Sequence, residues 1–453
     1  MLDFFFNPKT VALVGASATP GKISRVLLTS LKNSRFAGKI YPVNPLHKKI
    51  GGLKCYPSIK SIKKGVDLAI FAVPAKTVPG ILKTSEGMVR GAIVISGGFG
   101  ESGEKGRALE KELKESAAKW GVRIIGPNCL GIYDTISGLD TFFVPEERMQ
   151  RPGPGGLAII SQSGSFAVTV MDELAAEGIG VSRIISYGNK IDINESDCLE
   201  FLAEDESTKA VAVYIESVED GRRFVEAAAK CSATKPVAAI KVGRTSAAAE
   251  AALSHTGAIA GRYGIYRAAF KKAGIIELPG YEDFLCASKV LAAEKSSGGV
   301  RVIIITDGGG IGIGIADACA DAGLDVAPLE GAVKEELQDV LPSFCSIANP
   351  IDLTGSATDT LFGEALEKAL SGDRYDMAVV APLWGPPALT DGLPTVIAEK
   401  KGALKKPVIV CTPGGEYTRA KMGLFRKSGL PVFTTPEGAA KAAALLMKRK
   451  KVL

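Results

Sequence analysis

The sequence predicts an α/β protein built on parallel β-sheets. Three times along the chain, a short apolar run leads into a glycine- or serine-rich turn and then into an amphipathic stretch, starting at Val11, Leu157 and Val302. Further β-branched runs follow each start at the spacing of strand–helix–strand units, and they are apolar throughout rather than alternating. Strands of this kind suit sheets that are covered by helices on both faces.

Each third of the chain supplies its own set of predicted strands. After the three starting runs, these span 39–43, 67–73, 92–95, 122–125, 184–187, 210–215, 237–242, 377–381 and 408–411. Stretches rich in proline and glycine, at 151–156 and 295–299, mark the boundaries. We therefore predict three parallel-sheet domains, at 1–150, 151–295 and 296–453, the first Rossmann-like and the other two flavodoxin-like.

The composition is that of a globular protein rather than a disordered or membrane-spanning one. With 453 residues, 46% hydrophobic and 23% charged, it has the balance of a multidomain globular protein rather than a disordered one. Apolar runs are far shorter than the ~20 residues of a membrane span, and Asp3 and Pro8 do not fit a signal peptide. The eight cysteines form no CxxC pair, which favours a reducing compartment. We expect a cytoplasmic protein with no membrane contact.

The number of histidines and the distribution of charge limit which ligands the protein is expected to bind. The two histidines, His47 and His255, are far apart in sequence, so we expect no bound metal. Between Asp3 and Asp67 there are twelve basic residues and no acidic one, which should attract a polyanion. A solvated lysine-rich surface is an equally good interpretation of that segment. Nucleic acid is not expected as a partner, because no series of aromatic residues interleaves with these charges.

The turn after the first predicted strand has the composition of a phosphate site. Gly15 opens the run GASATPGK before a predicted helix, whose first backbone N–H groups and dipole can hold an anion. The run departs from GxGxxG, and no acidic residue follows about 20 positions later to bind a ribose 2′-OH, so NAD is disfavoured. NADP or coenzyme A remain open, and an ordinary βα turn is the plain alternative.

The corresponding turns of the second and third domains are similar. Ser161-Gln-Ser-Gly-Ser165 and Asp307-Gly-Gly-Gly310 each place small residues and backbone amides at a predicted helix start. Both could bind one phosphate, or they could be two unrelated tight turns.

His255 is the candidate nucleophile. It lies in Ser254-His-Thr-Gly-Ala258, a small and polar context unlike a core. A neutral imidazole can attack phosphorus, and a carboxylate on its other nitrogen would fix the tautomer. Glu216, directly after the predicted strand 210–215, is our candidate for that carboxylate, with Glu219 and Asp220 as local alternatives.

Several motifs together resemble a known family. Gly126-Pro-Asn-Cys-Leu-Gly131, Ser161–Ser165, Tyr214-Ile-Glu216 and Ser254–Ala258 resemble, in that order, the alpha subunit of the nucleoside-diphosphate-forming acyl-CoA synthetases, the superfamily of succinyl-CoA synthetase. In the third domain Asp307–Gly310, Asn349-Pro-Ile-Asp-Leu353 and Thr412-Pro-Gly-Gly415 extend the likeness. An alpha chain with this extra domain resembles the ADP-forming acetyl-CoA synthetase type.

The resemblance implies a role for each motif. His255 would be phosphorylated, Glu216 would hold it, and phosphate would bind at Ser163, Gly164, Ser165, Gly309 and Gly310. Coenzyme A would bind in the first domain at Gly15, Ser17, Thr19, Lys22, Val43, Asn44, Val73, Pro74, Ala75, Ser96, Gly97 and Gly98. One departure is Val168, where succinyl-CoA synthetase has a tyrosine, and it puts a dicarboxylate substrate in doubt.

The implied reaction converts acyl-CoA, ADP and phosphate to free acid, ATP and coenzyme A through an acyl phosphate and a phosphohistidine. No GxxxxGK[ST] loop is present, and the resemblance implies that an ATP-grasp beta subunit supplies the ADP/ATP site with Mg, in an α2β2 heterotetramer. Two alternatives stay open: an NADP-dependent oxidoreductase, and a CoA-binding regulatory protein in which the His255 loop is incidental.

Overall fold

A computed structural model describes residues 2–245, 247–248 and 262–448. The chain divides into two compact units. One comprises the chain up to Ala176 together with Gly180–Pro279, and the other comprises Glu177–Ile179 and the chain from Gly280 onward. The first unit holds two large sheets and the second unit holds one.

The first sheet is entirely parallel, with strand order β2-β1-β5-β6-β7. The antiparallel pair β3–β4 forms a separate ribbon. The elements of this part of the chain are α1 Asp3–Phe6, β1 Thr10–Val14, α2 Ile23–Asn33, β2 Lys39–Val43, β3 Lys49–Ile50, β4 Leu53–Lys54, β5 Val66–Phe71, α3 Val78–Thr84, β6 Val89–Val94, α4 Glu104–Trp120 and β7 Arg123–Ile125.

The second sheet has six strands in the order β13-β12-β11-β9-β10-β8, and only the edge strand β8 runs antiparallel. Its elements are β8 Gly131–Asp134, β9 Pro154–Ser161, α5 Gly164–Ala176, β10 Val181–Ser186, α6 Glu195–Glu204, β11 Ala210–Ile215, α7 Gly221–Ser232, β12 Val237–Lys241, α8 Tyr263–Ala273 and β13 Ile276–Leu278.

The third sheet, in the second unit, has the order β15-β16-β14-β17-β18-β19, with β15 antiparallel at one edge. Its elements are α9 Tyr281–Val290, β14 Val302–Thr306, α10 Gly309–Asp321, α11 Ala332–Val340, β15 Ser346–Ile347, β16 Ile351–Asp352, α12 Asp359–Ser371, β17 Met377–Ala381, α13 Leu393–Leu404, β18 Val408–Cys411, α14 Glu416–Lys427, β19 Val432–Phe433 and α15 Pro436–Lys448.

The parallel strands of all three sheets follow one plan. In each, the first parallel strand lies between the second and the third, which is the doubly wound order 2-1-3-4-5. Successive connections therefore leave in opposite directions at β1/β5, at β9/β11 and at β14/β17. A crevice opens at the carboxyl ends of such a strand pair, and it is where ligands bind in open α/β sheets.

The predicted α/β fold class with parallel sheets is confirmed, although the order of the parallel strands in the first sheet is the same as that in the other two and does not set a Rossmann-like domain apart from flavodoxin-like ones. Four predicted strands match to the residue: 39–43, 210–215, 377–381 and 408–411. Continuous apolar burial explains three of these matches, because β11, β17 and β18 are buried along almost their whole length, whereas β2 is buried only at its carboxyl end. The antiparallel strands β8 and β15 are not predicted from the sequence. Each has at most four residues and lies at a sheet edge, so neither leaves a long apolar run.

The domain boundaries at 150 and 295 stay a prediction. Strand β8 lies before position 150 but joins the second sheet. Side chains of both sheets of the first unit, such as Leu13 and Ile160, belong to one apolar cluster. Helix α9 lies before position 295 but belongs to the second unit.

All eight cysteines are buried free thiols, as a sequence without paired cysteines predicts. Within the described ranges, no helix is both long and apolar enough to cross a membrane.

Candidate active site

A cavity of about 380 Å³ lies at the carboxyl ends of β1, β2 and β5 in the first sheet. Gly15 follows β1, Asn44 follows β2 and Val73 follows β5, and all three line this cavity together with Val43. These four residues are among those predicted to bind coenzyme A. Lys60, one of the twelve basic residues between Asp3 and Asp67, also lines the cavity and pairs with Glu86 at 2.9 Å from Nζ to Oε2.

Close backbone approach explains the residues at this edge. Gly15 has a φ of +87°, and a Cβ there would lie 2.5 Å from the Ala72 carbonyl oxygen and from Val73 Cγ1. Asn44 Nδ2 donates to the Ala16 carbonyl oxygen at 2.8 Å, which ties the turn after β2 to the turn after β1. A glycine at position 15 and an amide side chain at position 44 therefore suit the tight packing of these turns.

The other predicted coenzyme A residues lie beside this cavity rather than in its lining. Ser17, Thr19 and Lys22 form the turn before α2, where Ser17 Oγ accepts a hydrogen bond from the Thr19 amide at 3.1 Å. Pro74 and Ala75 begin a short 3₁₀ turn. Ser96, Gly97 and Gly98 follow β6; the Ser96 hydroxyl donates to the Val73 carbonyl, and a Cβ on Gly98 would lie 3.3 Å from Ala75 Cβ.

A second cavity, of about 620 Å³, lies in the same unit at the carboxyl ends of β9, β10 and β11. Its lining includes Ser163, Gly164 and Ser165 at the start of α5, and Glu216 directly after β11. The structure therefore brings together the predicted phosphate residues of the second domain and the predicted partner of His255. It does so at the switch point between β9 and β11.

The start of α5 has the features of an anion site. Ser163 Oγ lies 3.1 Å from Ser165 Oγ and accepts a hydrogen bond from the Phe166 amide at 3.3 Å. Ser161 Oγ donates to the Ser163 carbonyl at 2.7 Å, which fixes the turn. The positive end of the helix dipole and two hydroxyls face the cavity, an arrangement that favours phosphate.

Glu216 is held by neighbours that the sequence analysis did not identify as functional. Gln162 Oε1 accepts hydrogen bonds from the Glu216 and Ser217 amides at 3.1 and 3.2 Å. Burial raises the pKa of Tyr214, and the charge of Glu216 and a hydrogen bond to it raise that pKa further. Tyr214 therefore stays a neutral donor to the carboxylate. Both residues stand within the quoted motifs, so the signal was present but had no assigned role.

A polar network joins the loop after β6 to this cavity. Asn189 Nδ2 donates to Glu101 Oε2 at 2.6 Å and to Glu110 Oε2 at 3.1 Å. Glu101 Oε1 accepts from the Gly98 amide at 2.5 Å. Burial opposes ionisation of Glu101, but hydrogen bonds from Asn189 and backbone amides outweigh it and lower the pKa of Glu101. The loop predicted to bind coenzyme A is thus coupled to the phosphate-side cavity by a carboxylate.

One wall of this cavity is apolar. It is formed by Ile95, Leu130, Phe143, Val144 and Val168. Val168, the position at which the sequence resemblance implies a departure from succinyl-CoA synthetase, is buried in this wall. Such a wall suits an uncharged acyl chain better than a second carboxylate.

In the second unit, Gly309 and Gly310 begin α10, at the switch point between β14 and β17. Gly308 caps this helix without a side-chain hydrogen bond. Asp307 Oδ1 accepts from the Leu383 amide at 2.8 Å, while Oδ2 is buried with no hydrogen-bond partner among the described residues. Burial, then the charge of Asp352, raises the pKa of Asp307 to about 6.

His255 lies outside the described residues, as do Ser246 and 249–261. The predicted contact between His255 and Glu216 therefore stays a prediction. Within the described ranges, no cluster of three or more His, Cys, Asp or Glu side chains is arranged to hold a metal ion.

Comparison with known proteins identifies the three parts of the chain. Residues 9–135 match the model of a CoA binding domain, 154–291 that of a succinyl-CoA ligase like flavodoxin domain, and 302–446 that of a ligase-CoA domain. The fold and these three domain matches together place the chain in the class of CoA ligases.

Full-length relatives specify the family. The chain is 38% identical over 456 residues to acetate–CoA ligase (ADP-forming) II subunit alpha of Pyrococcus furiosus, covering 100% of this chain and 98% of that one. It is 37% identical over 452 residues to acetate–CoA ligase (ADP-forming) I of Archaeoglobus fulgidus, covering 100% of this chain but 64% of that protein. The chain belongs to the family of ADP-forming acetate–CoA ligases, over the part that constitutes the alpha subunit.

A solved structure shows the same fold over the whole chain. Acetyl-coenzyme A synthetase 1 of Candidatus Korarchaeum cryptofilum, determined in complex with phosphate and ADP, superposes with a TM-score of 0.92 at 35% identity. The superposition covers 100% of this chain and 97% of that one.

Proposed function

We propose that this chain is the coenzyme A-side subunit of an ADP-forming acyl-CoA synthetase. The observation that carries the proposal is the cavity shared by the start of α5 and Glu216, in the same unit as the crevice lined by Gly15 and Asn44. A thioester held in the crevice would present its acyl carbon to a phosphate held at Ser163–Ser165. The reaction is acyl-CoA, ADP and phosphate giving acid, ATP and coenzyme A.

The proposed steps balance without any further reactant. A phosphate oxygen attacks the thioester carbonyl, the carbon–sulfur bond breaks, and coenzyme A leaves as an acyl phosphate forms. His255 then forms a nitrogen–phosphorus bond while the acyl phosphate P–O bond breaks and the acid leaves as a carboxylate. Glu216 accepts the hydrogen bond of the other imidazole nitrogen and supports the cation that develops. The phosphoryl group finally passes to ADP.

Three finer assignments rest on family membership. Gly309 and Gly310 would add a second helix dipole to the phosphate, the three domains would divide near 150 and 295, and an ATP-grasp beta subunit would hold ADP and Mg in an α2β2 heterotetramer. In Pyrococcus furiosus the matching protein is named an alpha subunit, whereas in Archaeoglobus fulgidus the matching protein is a longer single chain.

The test is phosphate-dependent loss of thioester by the full chain with its partner subunit and ADP. A panel of acetyl-, branched-chain and aryl-acetyl-CoA would identify the preferred acid, and we expect uncharged acyl groups to exceed succinyl-CoA because of the apolar wall. Thioester loss that does not depend on phosphate would contradict the proposal. Binding of CoA without any turnover would favour a regulatory protein instead.

A further inference from the structure

Two lysines beside Glu216 are almost completely buried. Lys190 is 5% exposed and Lys241 is 2% exposed. Lysine is very seldom buried unless it is paired or has a role, because removing an ammonium group from water is costly. Neither belongs to the motifs on which the family assignment rests, and the proposed steps above use neither.

Lys190 is tied to the turn that carries Glu216. Its Nζ donates to the Ser217 carbonyl oxygen at 2.5 Å and to Glu195 Oε2 at 3.3 Å. Lys190 also lines the phosphate-side cavity, and its φ of +51° is in the left-handed region that a non-glycine residue seldom adopts. Strained backbone of this kind is concentrated at functional sites.

Lys241 reaches the same turn from the neighbouring strand. It ends β12, where it is paired in register with Ile215, the residue before Glu216. Its Nζ donates to the Val242 carbonyl and lies 4.7 Å from the ring centroid of Tyr266, whose hydroxyl accepts from the Val218 amide at 3.1 Å. The turn 216–218 is therefore held from both sides, by Lys190 directly and by Lys241 through Tyr266.

The ammonium group of Lys241 is also close enough to the Glu216 carboxylate for the two charges to interact. Burial lowers the pKa of Lys241, the charge of Glu216 opposes that effect, and the charge of Lys190 reinforces it. Three tyrosines lie around this turn, and burial raises the pKa of each: Tyr187, Tyr214 and Tyr266. Two carboxylates are also nearby: Glu195 pairs with Lys190, and Glu219 lies in the cavity wall. In these surroundings the two lysines supply the positive charge that favours an ionised Glu216.

We propose that Lys190 and Lys241 are positioning residues for the phosphohistidine step, which anchor the turn 216–218 and hold Glu216 as a carboxylate ready to accept the imidazole N–H. This inference deepens the proposed function and rests on it. It assigns a role to residues on β12 and after β10, which act through the turn that carries Glu216 and through the positive charge they place beside it.

The test measures the rate of acid-labile, base-stable labelling of the full chain from labelled acetyl phosphate between about pH 5.5 and 8.5. Replacing Lys241 by Met removes a positive charge, and this favours the protonated forms of both Glu216 and the imidazole. The acid limb of the pH–rate profile, where the labelling rate rises with pH, should therefore move to higher pH. For a shift of about one pH unit, labelling becomes about tenfold slower near pH 6 and stays within about twofold near pH 8. Lys241→Arg, which keeps the charge, should retain the wild-type limb.

Lys235→Met is the matched control. Its Nζ also donates to backbone carbonyls, those of Leu202 and Asp205, but it does not contact the turn 216–218. This variant should leave the position of the acid limb unchanged. Lys190→Met supplies a second, independent test should Lys241→Met not fold, and thermal midpoints of every variant show whether it does.

The outcomes separate the two levels of proposal. A rate lowered by the same factor at every pH in both lysine variants would mean that the lysines only support packing, and would overturn this inference while leaving the proposed function. If the wild-type chain is not labelled at all, the phosphohistidine step itself fails, and the inference falls with it.

Discussion

At the residue scale, the second cavity pairs an electropositive helix start with a carboxylate. The hydroxyls of Ser163 and Ser165 face the cavity that Glu216 also lines, and the Gln162 side-chain oxygen accepts a hydrogen bond from the Glu216 amide. Phosphate and imidazolium carry opposite charges, so one site that offers a dipole and a carboxylate can hold both. This chemistry underlies the first prediction.

Replacing His255 by Ala should abolish acid-labile labelling from acetyl phosphate. Replacing Glu216 by Gln should slow labelling about 100-fold, because the amide cannot support the imidazolium that forms. Labelling kinetics on the full chain measure both effects. His47→Ala is the control, since His47 is exposed in the loop after β2, and undiminished labelling of His255→Ala would place the phosphoryl group elsewhere.

Asp307 gives a prediction for stability against pH. Its pKa in the folded chain is raised to about 6 from the ordinary value of 3.8. The unfolded chain therefore releases this proton at lower pH than the folded chain does. The stability that Asp307 contributes is fully present below about pH 4 and is lost as pH rises through about 6.

Replacing Asp307 by Asn removes this loss of stability at higher pH, because the amide does not ionise. Relative to the wild type, the variant should gain stability between about pH 4 and 7, by at most about 3 kcal/mol or roughly 8 °C in thermal midpoint. Thermal scans of the full chain across this range give the difference. Asp317→Asn, exposed on helix α10, is the control, and an Asp307→Asn difference that does not vary with pH would contradict the assignment.

At the element scale, the turn between β1 and α2 decides whether the first crevice forms. Gly15 approaches the backbone after β5 so closely that no side chain fits, while Gly21, in the same turn, has open space around it. Both glycines have positive φ, of +87° and +79°, so the two positions differ only in the room around the Cβ atom.

Replacing Gly15 by Ala should therefore be more harmful than replacing Gly21 by Ala. Both variants carry the strain of positive φ, and only the first adds an overlap with Ala72 and Val73, which costs about 1–3 kcal/mol more. We expect calorimetry to show at least a tenfold loss of CoA affinity for Gly15→Ala alone. Equal affinities in the two variants would mean that this turn does not shape the ligand crevice.

At the scale of the whole molecule, the described residues form three large sheets whose parallel strands have the same order. Each has the 2-1-3-4-5 order, and the first two lie in one compact unit. The chain matches a protein named an alpha subunit over 98% of that protein's length. These facts support the proposal that the nucleotide site is on a second subunit.

The chain alone should accordingly form phosphohistidine from acetyl-CoA and phosphate but make no ATP. ATP should appear when the ATP-grasp partner is added, and its formation can be followed by a coupled luminescence assay. The chain carrying His255→Ala, mixed with the same partner, is the control for contaminating kinases. Full ATP synthesis by the isolated chain would refute the two-subunit proposal.

The sequence by itself determined the fold class, most parallel strands and the glycine- and serine-rich turns that end them. It could do so because a strand buried on both faces must be apolar along its length, and a tight βα turn must be built from small residues. The edge strands β8 and β15 were not predicted, since strands of four and two residues are too short to carry a recognisable pattern.

Only the tertiary structure decided which residues meet. Residues 54 positions apart, Gln162 and Glu216, become hydrogen-bonded because β9 and β11 are neighbours in the second sheet. Lys190, after β10, and Lys241, at the end of β12, join the same turn, and their local sequence does not show that they meet there. The order of strands in a sheet decides which distant residues meet and which become buried. The residues next to each of them in the sequence do not specify that order.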